Sequence, residues 1–419
     1  MRLEDLLILL NEWWRTKSVS SDRLKEYKRD VFEELVGLLN YRQIIILSGL
    51  RRVGKSTLMF QLIDYILKNV SPERILYFSY DEKIEDIVSI LNSFQKITGT
   101  DWKKSDIFVF LDEIQKLRDW GAKIKIIYDN FPRIKFIVSG SASMKLEKEA
   151  LDNLAGRYFI VDVAPLSIKE YFELKNNVKI DKYELYRNDL KIELDNYFKK
   201  PFPEIVNWRE ERRIYEYVKE SIISKILKMD LPDIFENVNT RLLMSLAEIF
   251  FTNPGMILNV DSLSKSLRIH KSTLERHIFL LEFSKLIRIV KNFRVSLVSG
   301  SRKLKKVYPI DVSLVFPFNP NIDKDKIFEC AVASKINAEY YWREGNKEVD
   351  FIFKGNKIIP IEVKAKNMLD NNDLKSIQYF MKKFSVSEGL IVYEGDTKEL
   401  KNGLRFVNIL DFLYKDFFV

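Results

Sequence analysis

The chain has 419 residues, 46% of them apolar and 31% charged, and a formal charge of +9. That length is two to three times an ordinary domain, which excludes a single hydrophobic core and predicts three or four modules. The composition excludes a disordered chain, and with no apolar run long enough to span a bilayer it excludes a membrane-embedded one.

One cysteine, Cys330, and two histidines, His270 and His277, leave no material for internal disulfides or a cysteine-rich zinc site. A bound metal is therefore expected on oxygen ligands, as Mg²⁺ or Mn²⁺. The N-terminal MRLEDLLILLNEWW carries Glu4 and Asp5 within its apolar patch and no small-residue cleavage site. It does not read as a signal peptide, and the expected location is cytoplasmic.

In chain order, the first strong signal is at 44–66, IIILSGLRRVGKSTLMFQLIDYI. A β-branched strand leads into a glycine-rich loop and then a helix with Leu58, Leu62 and Ile66 on one face, the context a phosphate-binding loop requires. Gly49, Leu50, Arg51, Arg52, Val53, Gly54, Lys55, Ser56 and Thr57 would cradle ATP. Their backbone N–H groups curl around the phosphates, Lys55 reaches the β- and γ-phosphates, and the Ser56 hydroxyl ligates Mg²⁺.

A second strand, IFVFLDEIQ, ends in Asp112 and Glu113. An acidic pair at the end of a buried strand is costly unless it faces a cation or water. Asp112 would hold Mg²⁺ and Glu113 would polarise the attacking water. A third strand, IKFIVSGSAS, brings Ser139 to its end, either as a γ-phosphate sensor or as a cap for the following loop. Strands at 44–48, 75–80, 107–111 and 134–139, separated by helical stretches, predict a parallel doubly wound sheet.

The signatures GLRRVGKST, FLDEIQ, IVSGSAS, LAGRYF at 154–159 and APLSIKEYF at 164–172 resemble the archaeal and bacterial AAA-type ATPases that carry a C-terminal DUF4143-type region. The resemblance covers nearly the whole chain. It implies that Arg157 senses or contacts nucleotide, and a structural ion pair is the alternative for a lone arginine. It also implies that the helical stretch at 165–240 is a lid-like connector.

From Leu242 the pattern changes to three short helices and a hairpin, the helix-turn-helix arrangement with a wing. The second helix of the pair would present Lys271, Thr273 and Arg276 to a major groove, and Arg294, Arg302, Lys303, Lys305 and Lys306 on the wing would lie against phosphates. Residues 261–310 hold twelve lysines and arginines against three acids, a surplus of nine that equals the whole chain's net charge. Such a stretch is the footprint of a polyanion binder, or else the solvated face of a lysine-rich protein. Winged helices also serve as protein-interaction modules, so a protein partner stays open beside DNA.

In the tail, EVDFIFKGNKIIPIEVKAK at 348–366 reads as two alternating strands joined at Gly355-Asn356. The period of a strand puts Glu362 and Lys364 on one face, with Asp350 facing them across the hairpin. Two carboxylates and a lysine converging suit metal-dependent phosphodiester hydrolysis: Asp350 and Glu362 ligate Mg²⁺, and Lys364 orients water or stabilises the developing charge. The stretch resembles the PD-(D/E)xK restriction-endonuclease-like core. That resemblance implies an additional carboxylate at Glu329 on the preceding helix and a role for Gln378 on the following one.

The expected architecture is α/β. A P-loop NTPase parallel sheet (1–164) is followed by a helical connector (165–240), a winged helix-turn-helix (241–312) and a C-terminal restriction-endonuclease-like α/β domain (313–419). Two functions fit: an ATPase whose nucleotide state repositions a DNA-binding winged helix and a Mg²⁺-dependent nuclease-like domain, or a nucleotide-gated switch whose tail binds DNA or protein without cutting. A small-molecule kinase fits poorly, since no acceptor-site motif is visible. A homo-oligomer is open, because an arginine acting in trans needs a neighbouring subunit.

Overall fold

The structure is a computed structural model that describes residues 1–140, 150, 152–294, 304–401 and 403–417. The chain divides into two compact units, Met1–Pro165 with Asp233–Glu236, and Leu166–Pro232 with Asn237–Val419. Among the described residues, no helix is long and apolar enough to cross a membrane.

The first unit is a five-stranded parallel sheet of β1 (Ile44–Ser48), β2 (Ile75–Ser79), β3 (Ile107–Asp112), β4 (Ile134–Gly140) and β5 (Tyr158–Asp162), in spatial order β2-β3-β4-β1-β5. Every residue of β1, β2 and β4 is buried, the signature of parallel strands covered on both faces. Before the sheet come α1 (Leu3–Leu10) and α2 (Val31–Leu38). Helices α3 (Lys55–Leu67), α4 (Ile87–Thr98) and α5 (Trp120–Asn130) connect the strands. α4 shows why these segments are helical: Asp86 accepts the Val88 N–H at its start, Ile87, Ile90, Leu91 and Phe94 make one buried stripe, and Gly99 ends it at φ 77°. This is the α/β arrangement of P-loop NTPases.

The second unit opens with α6 (Ile168–Asn176), started by a Ser167/Glu170 capping box, and α7 (Tyr183–Lys199). Two π-helical stretches follow, Val218–Ser224 and Ile226–Asp230. The expected lid-like connector does not stand apart: Leu190, Leu194 and Phe198 pack in one core with Val407, Leu410 and Leu413 near the C-terminus. Asp411 accepts from Tyr183 and from Arg187 (2.9 Å), tying α7 to α13 (Ile409–Tyr414).

Next come α8 (Thr240–Thr252), β6 (Met256–Leu258), α9 (Val260–Leu267), α10 (Lys271–Phe283), β7 (Ile287–Asn292) and β8 (Lys305–Pro309). β8 pairs antiparallel with both β6 and β7. The tail runs α11 (Lys324–Lys335), β9 (Tyr340–Glu344), β10 (Lys347–Lys354), β11 (Ile358–Lys364), α12 (Asn371–Phe384), β12 (Gly389–Tyr393), β13 (Lys398–Lys401) and β14 (Leu404–Asn408). β9, β10 and β11 form an antiparallel meander, and β12 joins β11 in parallel. β7 also pairs in parallel with β9, so one nine-stranded sheet runs from β13 to β6 through both halves of this unit.

Candidate nucleotide and carboxylate sites

The loop after β1 takes a shape only particular residues tolerate. At Gly49 a Cβ would sit 2.2 Å from the Val163 carbonyl oxygen, so any side chain there would force β5 away from the loop. Arg52 (φ 67°) and Gly54 (φ 97°) are left-handed, the backbone turn that leads the loop into the N-terminus of α3, where free N–H groups favour an anion. Lys55 is buried and folds back, its Nζ donating to the Gly49 and Leu50 carbonyls at 2.9 and 2.7 Å. Loop carbonyls are the acceptors that phosphate oxygens would replace.

The acidic strand end lies beside this loop. Asp112 is buried and accepts three hydroxyl hydrogen bonds, from Ser56 at 2.6 Å, from Tyr77 at 3.0 Å and from Ser139. Burial and the neighbouring Glu113 charge raise the Asp112 carboxyl above its ordinary range, outweighing the three hydroxyls that pull it down. A hydroxyl and a carboxylate held together on oxygen atoms fit a hard divalent cation, so Ser56 and Asp112 are suited to holding Mg²⁺. Glu113 follows with a left-handed backbone (φ 52°, ψ 41°), and its carboxylate accepts from the Gln115 side-chain amide.

Of two further sequence expectations, for Ser139 and Arg157, the second changes here. Ser139 is completely buried and donates its hydroxyl to Asp112, which also accepts from Ser56, so it braces that carboxylate beside the phosphate loop. Arg157 precedes β5 at the strand's beginning, and its N–H groups contact Asp129 at 2.8 and 3.2 Å. Because β5 runs parallel to β1, with Ile44 opposite Tyr158, Arg157 lies at the end of the sheet opposite the phosphate loop. The ion-pair alternative describes it.

Sequence reasoning missed three residues. Arg29 clamps the loop from outside, donating to the carbonyls of Val53 (3.0 Å), Ala164 (2.7 Å) and Pro165 (3.2 Å). Contacts spanning up to 136 positions leave no local pattern. Tyr77 reaches Asp112 across neighbouring strands, and Gln115 was visible only as the last letter of the DEIQ run.

In the second unit the tail residues do meet. Phe351 lies opposite Ile361, which brings Asp350 and Glu362 to adjoining positions across the hairpin. Lys364 Nζ lies 2.7 Å from Glu362 Oε1 and 4.0 Å from Asp350 Oδ2, and Asp350 Oδ2 also accepts the Val363 N–H at 2.9 Å. Glu362 Oε2 is buried with no hydrogen-bond partner. Burial, reinforced by the Asp350 charge, pushes the Glu362 carboxyl up to about 8. Burial pulls the Lys364 ammonium down, but Asp350 and Glu362 outweigh it and raise it overall.

Glu329 on α11 is buried, takes the Tyr308 hydroxyl at 3.0 Å and Lys326 at 2.8 Å, and is raised by burial and by Asp350. Gln378 sits on the exposed side of α12, beside the core-facing Ile377. An orphaned carboxylate oxygen facing a second carboxylate suits a cation. Among the described residues, though, no three metal-ligating side chains of the His, Cys, Asp or Glu type converge.

The basic stretch divides. Lys271 and Arg276 are exposed on α10 and Thr273 is half-buried, with Lys271 also paired to Asp261 at 2.9 Å. Arg294 is exposed and Lys305 half-buried. Lys306 is not available to phosphates: it is buried, paired with Glu348 and stacked over the Tyr341 ring. Arg302 and Lys303 lie outside the described residues.

Residues 41–172 match the model of an AAA domain, residues 201–319 a domain of unknown function (DUF8612), and residues 325–412 another, DUF4143. An uncharacterized protein of Methanocaldococcus jannaschii is 27% identical over 97% of this chain and 93% of its own length. An uncharacterized protein of Haemophilus influenzae is 25% identical over 64% of this chain and 67% of its own. Among solved structures, the Walker-type ATPase of Pyrococcus abyssi is similar with a TM-score of 0.45 and 16% identity, over 72% of this chain and 99% of that one. The ORC2 protein of Aeropyrum pernix in its ADP form is similar with a TM-score of 0.37 and 10% identity, over 69% of this chain and 92% of that one.

One chain thus carries a match to an AAA domain at 41–172 and a match to DUF4143 at 325–412.

Proposed function

We propose that this AAA-type P-loop protein binds ATP with Mg²⁺ and hydrolyses it, and that its second unit is a nucleic-acid-facing half whose tail is a metal-dependent nuclease. The observation that carries the first part is the Ser56 hydroxyl on Asp112 at 2.6 Å, beside a phosphate loop whose lysine is held on loop carbonyls. Bound Mg²⁺ would supply neutralisation of the charge on the phosphates. The chain's own residues do the rest: loop N–H groups and Lys55 hold the phosphates, Ser56 and Asp112 hold the cation, and the Glu113 carboxylate accepts a proton from the attacking water. Lys55→Ala is expected to abolish nucleotide binding, whereas Glu113→Gln keeps binding and loses turnover. A Glu113→Gln variant that hydrolyses ATP at the wild-type rate removes Glu113 from its role.

Support for nucleic acid comes from the order helix, strand, helix, helix, strand, strand over 240–309, closed by an antiparallel three-stranded edge. We read it as a winged helix, with α10 as the groove-entering helix and Lys271, Thr273 and Arg276 at its start. In the tail, a helix, three antiparallel strands, a helix and a parallel strand support the PD-(D/E)xK reading, and the orphaned Glu362 oxygen supports a cation there. A second reading, recognition without cutting, is favoured by Lys364 lying against Glu362 and by the absence of a third converging ligand among the described residues. Supercoiled plasmid and labelled single strands in Mn²⁺ or Mg²⁺, with and without ATP and beside Asp350→Ala, separate the two. Cleavage lost in the variant establishes a nuclease, and intact DNA throughout leaves a binding tail.

A further inference from the structure

Glu113 follows β3 on a left-handed backbone, a conformation a side-chain-bearing residue keeps only where its surroundings enforce it. The turn that follows, Ile114–Lys116, is pinned on both sides. Ile114 and Leu117 are buried, and Lys116 Nζ reaches Asp81 at 2.6 Å. Gln115 is carried on this turn with only 6% of its surface exposed, and its Nε2 donates to Glu113 Oε2.

We propose that Gln115 is a positioning residue for ATP hydrolysis, whose amide fixes the Glu113 carboxylate in one orientation beside the phosphate loop. The inference rests on Glu113 being the group that takes the proton from water. A glutamate side chain has three rotatable bonds, and a general base works only when its oxygen is held within hydrogen-bond reach of the proton it accepts. A buried amide suits that task. It donates one directed hydrogen bond and carries no net charge, so it holds the carboxylate without lowering its basicity as far as a lysine ammonium would. The strained backbone at Glu113 aims the side chain, and Gln115 holds its far end.

The test is steady-state ATP hydrolysis by the full chain, with nucleotide affinity measured by titrating a fluorescent ADP analogue. The proteins are wild type, Gln115→Ala, Gln115→Glu, Glu113→Gln and the double variant Glu113→Gln/Gln115→Ala. Gln115→Ala is expected to lower kcat by about ten- to hundredfold with KM and ADP affinity nearly unchanged. In the Glu113→Gln background it is expected to cost nothing further, because the group it positions is already gone. Gln115→Glu, which sets a second carboxylate against the first, is expected to move the acidic limb of the pH–rate profile to higher pH.

A kcat unchanged or raised in Gln115→Ala overturns the proposal, as does a loss that repeats in full on the Glu113→Gln background or that tracks weakened ADP binding. Equal turnover by wild type and Glu113→Gln overturns the role of Glu113 together with this proposal. An inactive Glu113→Gln beside a fully active Gln115→Ala overturns this proposal alone.

Discussion

Replacing Glu362 with glutamine is expected to make the protein more resistant to unfolding at alkaline pH, the reverse of what removing one partner of a buried ion pair ordinarily does. Glu362 is 6% exposed, one of its oxygens has no partner, and burial beside Asp350 pushes its carboxyl from 4.5 up to about 8. The native state therefore holds this proton more tightly than the unfolded chain does. Stability falls as pH rises from the unfolded value toward the folded one, and the full loss is in place above it. At about 1.4 kcal/mol per unit, wild type gives up about 3 kcal/mol between pH 6 and pH 9 through this one group. Glutamine has no proton to lose and copies the neutral acid. Urea unfolding in EDTA at half-unit steps across that range reads the effect as a gap between wild type and Glu362→Gln that widens with pH in favour of the variant. Parallel curves, or a variant that loses stability to the same extent on going to pH 9, refute the reasoning.

Gly49→Ala places a methyl carbon 2.2 Å from the Val163 carbonyl oxygen. It is expected to abolish nucleotide binding in an ADP-analogue titration while circular dichroism shows the sheet still formed. Ser139→Ala removes one of three hydroxyls from Asp112 and leaves the other two, so a loss of ATP turnover of about tenfold is expected, smaller than for Asp112→Ala. Arg157→Ala breaks an exposed pair with Asp129 at the far end of the sheet, and ATP turnover by the isolated protein is expected to stay at the wild-type rate. For the basic stretch, Arg276→Ala is expected to weaken DNA binding in a filter or polarisation assay, whereas Lys306→Ala is expected to leave the salt dependence of that binding unchanged, since Lys306 is buried against Glu348.

The first unit was legible because its signals are local. The apolar β-branched runs at 44–48 and 107–112, the glycine spacing of 49–54 and the acidic strand end each sit within a dozen residues, and each fixes its own geometry. The tail was legible for the same reason, since strand period and one short turn place Asp350, Glu362 and Lys364 together. Long-range pairing was not. Nothing near Arg157 tells which end of β5 it occupies until β5 is paired with β1, and a basic run cannot say that Lys306 turns inward to Glu348. The parallel pairing of β7 with β9 joins stretches about fifty residues apart, so the continuous nine-stranded sheet has no sequence signature. The packing of α7 against the C-terminal helix is of the same kind.

The most direct test of the account is a single-turnover experiment with limiting radiolabelled ATP and Mg²⁺ on wild type, Lys55→Ala and Glu113→Gln. The account predicts that wild type binds and converts the label to ADP, that Glu113→Gln retains bound ATP unconverted, and that Lys55→Ala retains none. Conversion by Glu113→Gln at the wild-type rate, or full retention of ATP by Lys55→Ala, contradicts it.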